Sequence, residues 1–208
     1  SRRVYLIGQD YSFGREVLAL ARQMIGEKRS DFVIVGEDLH PIGRVKDFSP
    51  YIAKMRAAGA DVVITGNWGN DLSLLVKAAR EAGLGAKFFT FYGNGLGAPT
   101  AMGDAGVGRV VAVAEWHPNV GGSQSDEMVA AFRQRFPEPR DDYQHLRMLV
   151  MVEMLVAAIE RAGSDDALAV ATALRGARYS NGWHTAWMRP HDHQLIQPLV
   201  VSVMERAG

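Results

Sequence analysis

The stretch Asp61-Val62-Val63-Ile64-Thr65-Gly66-Asn67-Trp68-Gly69-Asn70-Asp71, with the run Leu72 to Gly83 behind it, governs how the rest of the chain reads. Val62 to Thr65 are all β-branched, the pattern of a short strand buried on both faces. Gly66, Asn67, Gly69 and Asn70 break that pattern, and Asp71 is of the type that caps a helix. Leu72, Leu75, Val76 and Ala79 then recur at helical spacing, with Gly83 as a C-terminal stop. This is half of a βαβ unit. It leaves Trp68 on the turn at the carboxyl end of a strand, where open α/β sheets bind ligands. Packing of the indole against its own loop is the competing expectation.

Outward from this unit, the first half of the chain repeats it. A strand at 4–8 leads through Gln9-Asp10-Tyr11-Ser12-Phe13-Gly14 into a helix with Val17, Leu18, Leu20, Ala21, Met24 and Ile25 on its apolar face. A second strand, 32–35, is followed by an excursion from Gly36 to Lys46, and Ser49-Pro50 opens a helix as cap and first-turn proline. Strands follow at 87–92 and 109–114. The alternation predicts an α/β fold with a doubly wound, mainly parallel sheet and right-handed crossovers.

Beyond Val113 the rhythm changes. Glu115 to Ser123 reads as a crossing between domains, and helices are expected at 126–136, 142–162 and 165–175, the last capped by Ser164. Two final strands, Thr185 to Met188 and Leu199 to Val203, flank a polar loop. The 142–162 helix is apolar around most of its circumference and so needs partners on most sides. It predicts either a longer protein or self-association of this chain.

Composition narrows the function. Lys plus Arg equals Asp plus Glu, 23 of each, so no global field points to nucleic acid or an anionic membrane. The absence of cysteine excludes disulfides, thiol catalysis and Cys-based zinc sites. The opening Ser1-Arg2-Arg3 running into Val4-Tyr5-Leu6-Ile7 reads as the start of a strand inside a domain and not as a signal peptide. Arg133, Arg135 and Arg140 sit among acidic residues and read as a solvated face.

Gly93-Asn94-Gly95-Leu96-Gly97-Ala98 matches a dinucleotide fingerprint, with Glu115 after the next strand. The fingerprint needs a full helix behind it, and the residues from Pro99 to Gly108 leave too little room; a plain Gly-rich loop is favoured. His191-Asp192-His193 lies between Pro190 and Pro198, so a solvated turn is favoured over a metal site, although His117, His145 and His184 exist. No G-x-S-x-G elbow and no H-E-x-x-H motif occurs. What remains is aromatics and amides on turns at strand carboxyl ends: Tyr11, Phe13, Asn67, Trp68, Tyr92 and Asn94. These suit holding a small molecule rather than transforming it. No enzyme activity, catalytic residue, metal or cofactor is expected.

Asp10-Tyr11-Ser12-Phe13-Gly14, Asp47-Phe48-Ser49-Pro50-Tyr51, Ala58 to Val63 and Arg189 to Gln194 together resemble the substrate-binding proteins of branched-chain amino acid ABC transporters. The resemblance implies a type I periplasmic binding protein with two α/β lobes, located in the periplasm or lipid-anchored outside the cytoplasm. Its implied partners are a small-molecule solute and an ABC permease. It also implies a late start: residues 1–114 as the ligand-binding C-terminal lobe, 115–123 as a crossing, 124–182 as helices of the N-terminal lobe and 183–208 as the return. The family's aromatic before the first glycine falls on Phe13 and its tyrosine after the third strand on Trp68. The acidic residue that holds the ligand ammonium falls on Asn94, which puts an aromatic or carboxylate solute beside an amino acid as the ligand. A ligand-sensing domain of a regulator or receptor is the alternative.

Overall fold

The computed structural model describes residues 2–95, 97–120, 122–138 and 146–206. In chain order the elements are β1 (Arg2–Gln9), α1 (Ser12–Lys28), β2 (Phe32–His40), α2 (Ser49–Ala57), β3 (Val62–Thr65), α3 (Gly69–Glu81) and β4 (Lys87–Thr90). Then come α4 (Ala98–Met102), a short 3-10 turn, β5 (Val110–Ala114), α5 (Gly122–Arg135), α6 (Leu146–Ala162) and α7 (Ala167–Leu174). The chain ends with β6 (Arg178–Ser180), β7 (Thr185–Met188), β8 (Leu195–Ile196) and β9 (Val200–Val203). The described residues group into two compact units, one holding those up to Ala114, Glu138 and those from Val201 onward, the other holding Glu115 to Pro137 and Leu146 to Val200.

The first unit is the mainly parallel, doubly wound sheet that the alternation predicts, with strand order β2-β1-β3-β4-β5-β9. β1 pairs parallel with both β2 and β3, and β4 pairs parallel with β3 and β5. Alternate residues of β1 serve opposite faces, as a pleated strand requires. Tyr5 and Ile7 pack in one cluster with Ile52 and Met55 of α2 and with Leu72, Leu75, Val76 and Ala79 of α3. Val4 and Leu6 pack in another with Val17, Leu18 and Ile25 of α1. Both faces of the sheet are thus covered. Leu72, Leu75 and Val76 are wholly buried, and each such side chain stabilises the fold by about 1.5–3 kcal/mol.

Several local expectations are corrected. β2 does not stop at Val35 but continues to His40. Val35 is the extra residue of a bulge, since Ile34 pairs with Val4 and Gly36 with Tyr5, and a Cβ on Gly36 would lie 2.2 Å from the Tyr5 ring. The glycine therefore admits the ring rather than ending the strand. β4 ends at Thr90, so Phe91 and Tyr92 already belong to the turn. Neither Asp71 nor Ser49 caps a helix: α3 begins at Gly69 and α2 at Ser49, with Trp68 and Phe48 in the cap positions. Gly83 lies just past the α3 C-cap with φ +66°, the left-handed stop read from the sequence.

In the second unit, α6, β6, β7 and β8 surround a core of Trp116, Leu146, Val150, Met154, Ala177 and Ala186. The three short strands form an antiparallel sheet in the order β6-β7-β8; of these, only β7 was expected. α7 is capped by Asp166, whose carboxylate accepts from the backbone N–H groups of Leu168 and Ala169, and Ser164 instead accepts from the Asp166 N–H. The expected start of the long helix at 142, together with Arg140 and His145, lies outside the described residues. Among the described residues no helix is long and apolar enough to cross a membrane.

Candidate functional site

Strand order places the site before any side chain does. With β1 central and the chain moving to β2 on one side and to β3 on the other, the crevice between the carboxyl ends of β1 and β3 is the topological switch point of the sheet. Tyr11 stands two residues past the end of β1 and Trp68 three past the end of β3. Each occupies the N-cap position of the following helix in extended backbone, with φ of −152° and −139°, and neither α1 nor α3 has a side-chain cap. The indole Nε1–H of Trp68 donates to the Tyr11 hydroxyl at 3.0 Å. Phe13 lies beside Tyr11 with ring centroids 6.1 Å apart, and Tyr92 meets Phe13 edge-on at 6.0 Å. Four of the sequence candidates thus form one cluster contributed by three strand ends.

Glycines let the cluster close. A Cβ on Gly14 would lie 1.9 Å from the Gln9 carbonyl oxygen, so only glycine allows α1 to start so near the end of β1. Phe13 rests against the backbone of Gly66, where a Cβ would come within 3.2 Å of its ring. Trp68 keeps 38% of its surface exposed, whereas Tyr11, Phe13, Tyr92 and Asn94 are half-buried.

Asn67 is placed differently. It is fully buried, and its Nδ2 lies 2.8 Å from Nε2 of His40, the last residue of β2. His40 is itself buried edge-on against Phe48 and Tyr51. Alongside lies a second buried polar group that sequence reading missed. Gln9 Nε2 donates to Asp71 Oδ2 at 2.8 Å, and the same oxygen accepts from the Gly43 backbone N–H at 2.8 Å. Asp71, taken from the sequence as a cap, therefore ties the end of β1 and the loop after β2 to the first turn of α3, beneath Trp68. Gln9 Oε1 and Asn67 Oδ1 are buried without a hydrogen-bond partner. The available signal for Gln9 and His40 was positional: each is a polar residue closing a strand.

The other sequence candidates resolve locally. Behind the Gly-rich turn, α4 is only five residues long, so no helix of the length a pyrophosphate needs is present. Glu115 is held by Arg147 through two hydrogen bonds of 2.8 Å. Burial pushes its carboxyl up, but the guanidinium and backbone hydrogen bonds outweigh this and hold it below the ordinary range. Asp192 is taken by Arg189, and His193 Nε2 lies 3.0 Å from the Ala171 carbonyl oxygen. Among the described residues, no group of three or more His, Asp or Glu is arranged to hold a metal. A groove of about 530 Å³ over β6–β8, lined by Tyr179, Trp187 and Pro198 among others, holds none of the sequence candidates.

Comparison with known proteins identifies the scaffold. A family model described as periplasmic binding protein matches residues 1–208. Leu/Ile/Val-binding protein homolog 4 of Brucella melitensis is 32% identical over 98% of this chain, which spans 49% of that protein. The chain therefore covers about half the length of this relative. Among solved structures, a leucine-, isoleucine-, valine-, threonine- and alanine-binding protein from Brucella ovis in a closed conformation superposes with a TM-score of 0.82 at 29% identity, over 99% of this chain and 53% of that one. A solute-binding protein of an R. palustris ABC transporter, in complex with 4-hydroxybenzoate, gives a TM-score of 0.85 at 17% identity, over 99% and 57%, and shows the shared fold alone. Matched from its first residue to its last, the chain belongs to the periplasmic binding protein family.

Proposed function

We propose that this chain carries ligand-holding elements of an extracytoplasmic solute-binding protein of an ABC importer, taking a small aromatic or carboxylate solute and delivering it to a membrane permease. The observation that supports this is the cluster of Tyr11, Phe13, Trp68 and Tyr92 at the switch point of the sheet. Its relatives are named as binding proteins, which agrees with a site that has rings and amides but no acid–base pair. Asn94 turns the choice of solute away from α-amino acids, because a neutral amide does not supply the charge-assisted bond that a desolvated ammonium requires. The N-termini of α1 and α3, beside Tyr11 and Trp68, carry partial positive charge and disfavour an ammonium further. Asn67, buried against His40, supports the turn that presents Trp68.

Calorimetric titration with leucine, benzoate and 4-hydroxybenzoate tests this reading, on the chain and on the whole gene product that contains it. The benzoates are expected to bind more tightly than leucine. Trp68→Ala should weaken them by more than any surface-charge substitution, since ring stacking contributes about 0.5–1.5 kcal/mol beyond buried area. Asn94→Glu should shift the preference toward leucine. A wild type that prefers leucine, or a Trp68→Ala variant that binds every ligand unchanged, overturns the assignment.

A further inference from the structure

We propose that the Tyr11 hydroxyl sets specificity by donating a hydrogen bond to an uncharged oxygen of the solute; this rests on the reading above, that the aromatic cluster faces the ligand. An indole N–H has a single proton and no acceptor capacity, and in Trp68 that proton is directed at the Tyr11 oxygen, 3.0 Å away. A phenol has one proton and two lone pairs. Accepting from Trp68 occupies a lone pair, leaves the Tyr11 proton to be donated elsewhere, and polarises that O–H toward stronger donation. Among the described residues none accepts this proton. Tyr11 is half-buried and the bond it accepts is exposed, so the hydroxyl is held by the indole yet reachable from outside.

The chemistry that matches such a donor is narrow. An ammonium presents only hydrogens and is rejected. A desolvated carboxylate calls for charged or multiple donors, and a single phenolic O–H is neither. An ether, phenol or carbonyl oxygen on a ring needs one neutral O–H, and the ring itself fits against Trp68, Phe13 and Tyr92. Tyr11 differs from Tyr92 in that the indole fixes its hydroxyl, whereas Tyr92 meets Phe13 edge-on through its ring.

The test uses 4-methoxybenzoate and 4-ethylbenzoate, which are close in size and differ in whether the para group offers an acceptor oxygen. The wild type should prefer the methoxy compound by roughly three- to tenfold, the range of one net hydrogen bond. Tyr11→Phe should abolish that ratio while changing affinity for the ethyl compound by less than about twofold, below the range of one such bond. Trp68→Phe, which keeps a ring but removes the N–H, should reduce the ratio, and Tyr92→Phe should preserve it. Because the ratio compares two ligands on the same variant, a general loss of packing cancels. A ratio that survives Tyr11→Phe, or equal weakening of both ligands, overturns the assignment of the hydroxyl while leaving the binding function standing. Binding of leucine with no binding of either benzoate overturns both.

Discussion

At the scale of single residues, the site depends on side chains that never reach the surface. Asp71 Oδ2 accepts from both Gln9 Nε2 and the Gly43 N–H, and the Gln9 and Asp71 side chains are buried beside the turn that carries Trp68. Removing the carboxylate leaves a buried amide and a partly buried backbone donor without partners, at about 1–3 kcal/mol for each fully buried group. Asp71→Ala is therefore expected to lower unfolding free energy by about 2–4 kcal/mol in urea denaturation, with the buried amide near the full loss and the partly buried N–H below it. Gln9→Leu should cost less, because it also removes the unpartnered Oε1 along with the donor. If Asp71→Ala unfolds at the wild-type urea concentration, the network contributes nothing. Trp68 was legible in the sequence because a large aromatic among glycines and asparagines stands out. Gln9 and His40 were not, because their role comes from adjacency of strand ends, which the order β2-β1-β3 creates and a linear reading does not display.

Elements were legible where periodicity was strong, and less so where tertiary contacts set the boundaries. α3 came through from its apolar spacing and its Gly83 stop, but its start shifted from Asp71 to Gly69 once Asp71 was engaged by Gln9. β2 was cut short at Gly36 because glycine usually ends a strand pattern, whereas here it makes room for the Tyr5 ring. Gly36→Ala should then force the ring to move and destabilise the first unit by about 1–3 kcal/mol, with a larger loss for Gly14→Ala, whose Cβ would meet backbone. Thermal unfolding of both variants checks the order. β6 and β8 escaped notice because three and two residues are too short to show alternation. The Arg147–Glu115 pair joins α6 to the segment after β5 and carries a pH dependence. The folded Glu115 pKa lies below its ordinary value of 4.5, so the pair's contribution is complete above that value and is lost as pH falls through the lower, folded one. Glu115→Gln should flatten the acid side of the stability profile and leave its alkaline side unchanged; an identical acid limb in the two proteins would remove the pair from the account.

At the scale of the whole molecule, the question is what covers the apolar surface that the chain displays. In α6, Leu146, Val150, Met154 and Ala158 are buried, spaced by four residues along one stripe. Met148, Met151, Val152, Leu155 and Val156 remain between 43% and 51% exposed on the rest of the same helix. The sequence had indicated this by making the helix apolar nearly all round, and the second unit satisfies only the stripe packed against Trp116 and the short antiparallel sheet. Soluble monomers rarely leave a contiguous apolar patch of this kind uncovered. The expected outcome for the isolated chain is reversible self-association through this face, driven by apolar burial of about 25 cal/mol per Å². Sedimentation velocity across a wide range of concentration should show a rising weight-average mass. The substitutions Met151→Lys and Leu155→Glu, on one face at four-residue spacing, should return the chain to monomer without shifting its unfolding midpoint, because neither side chain belongs to the buried core. Mass that stays at the monomer value at every concentration, or a double variant that still associates, would assign the association surface elsewhere and leave α6 as an exposed helix that solvent tolerates.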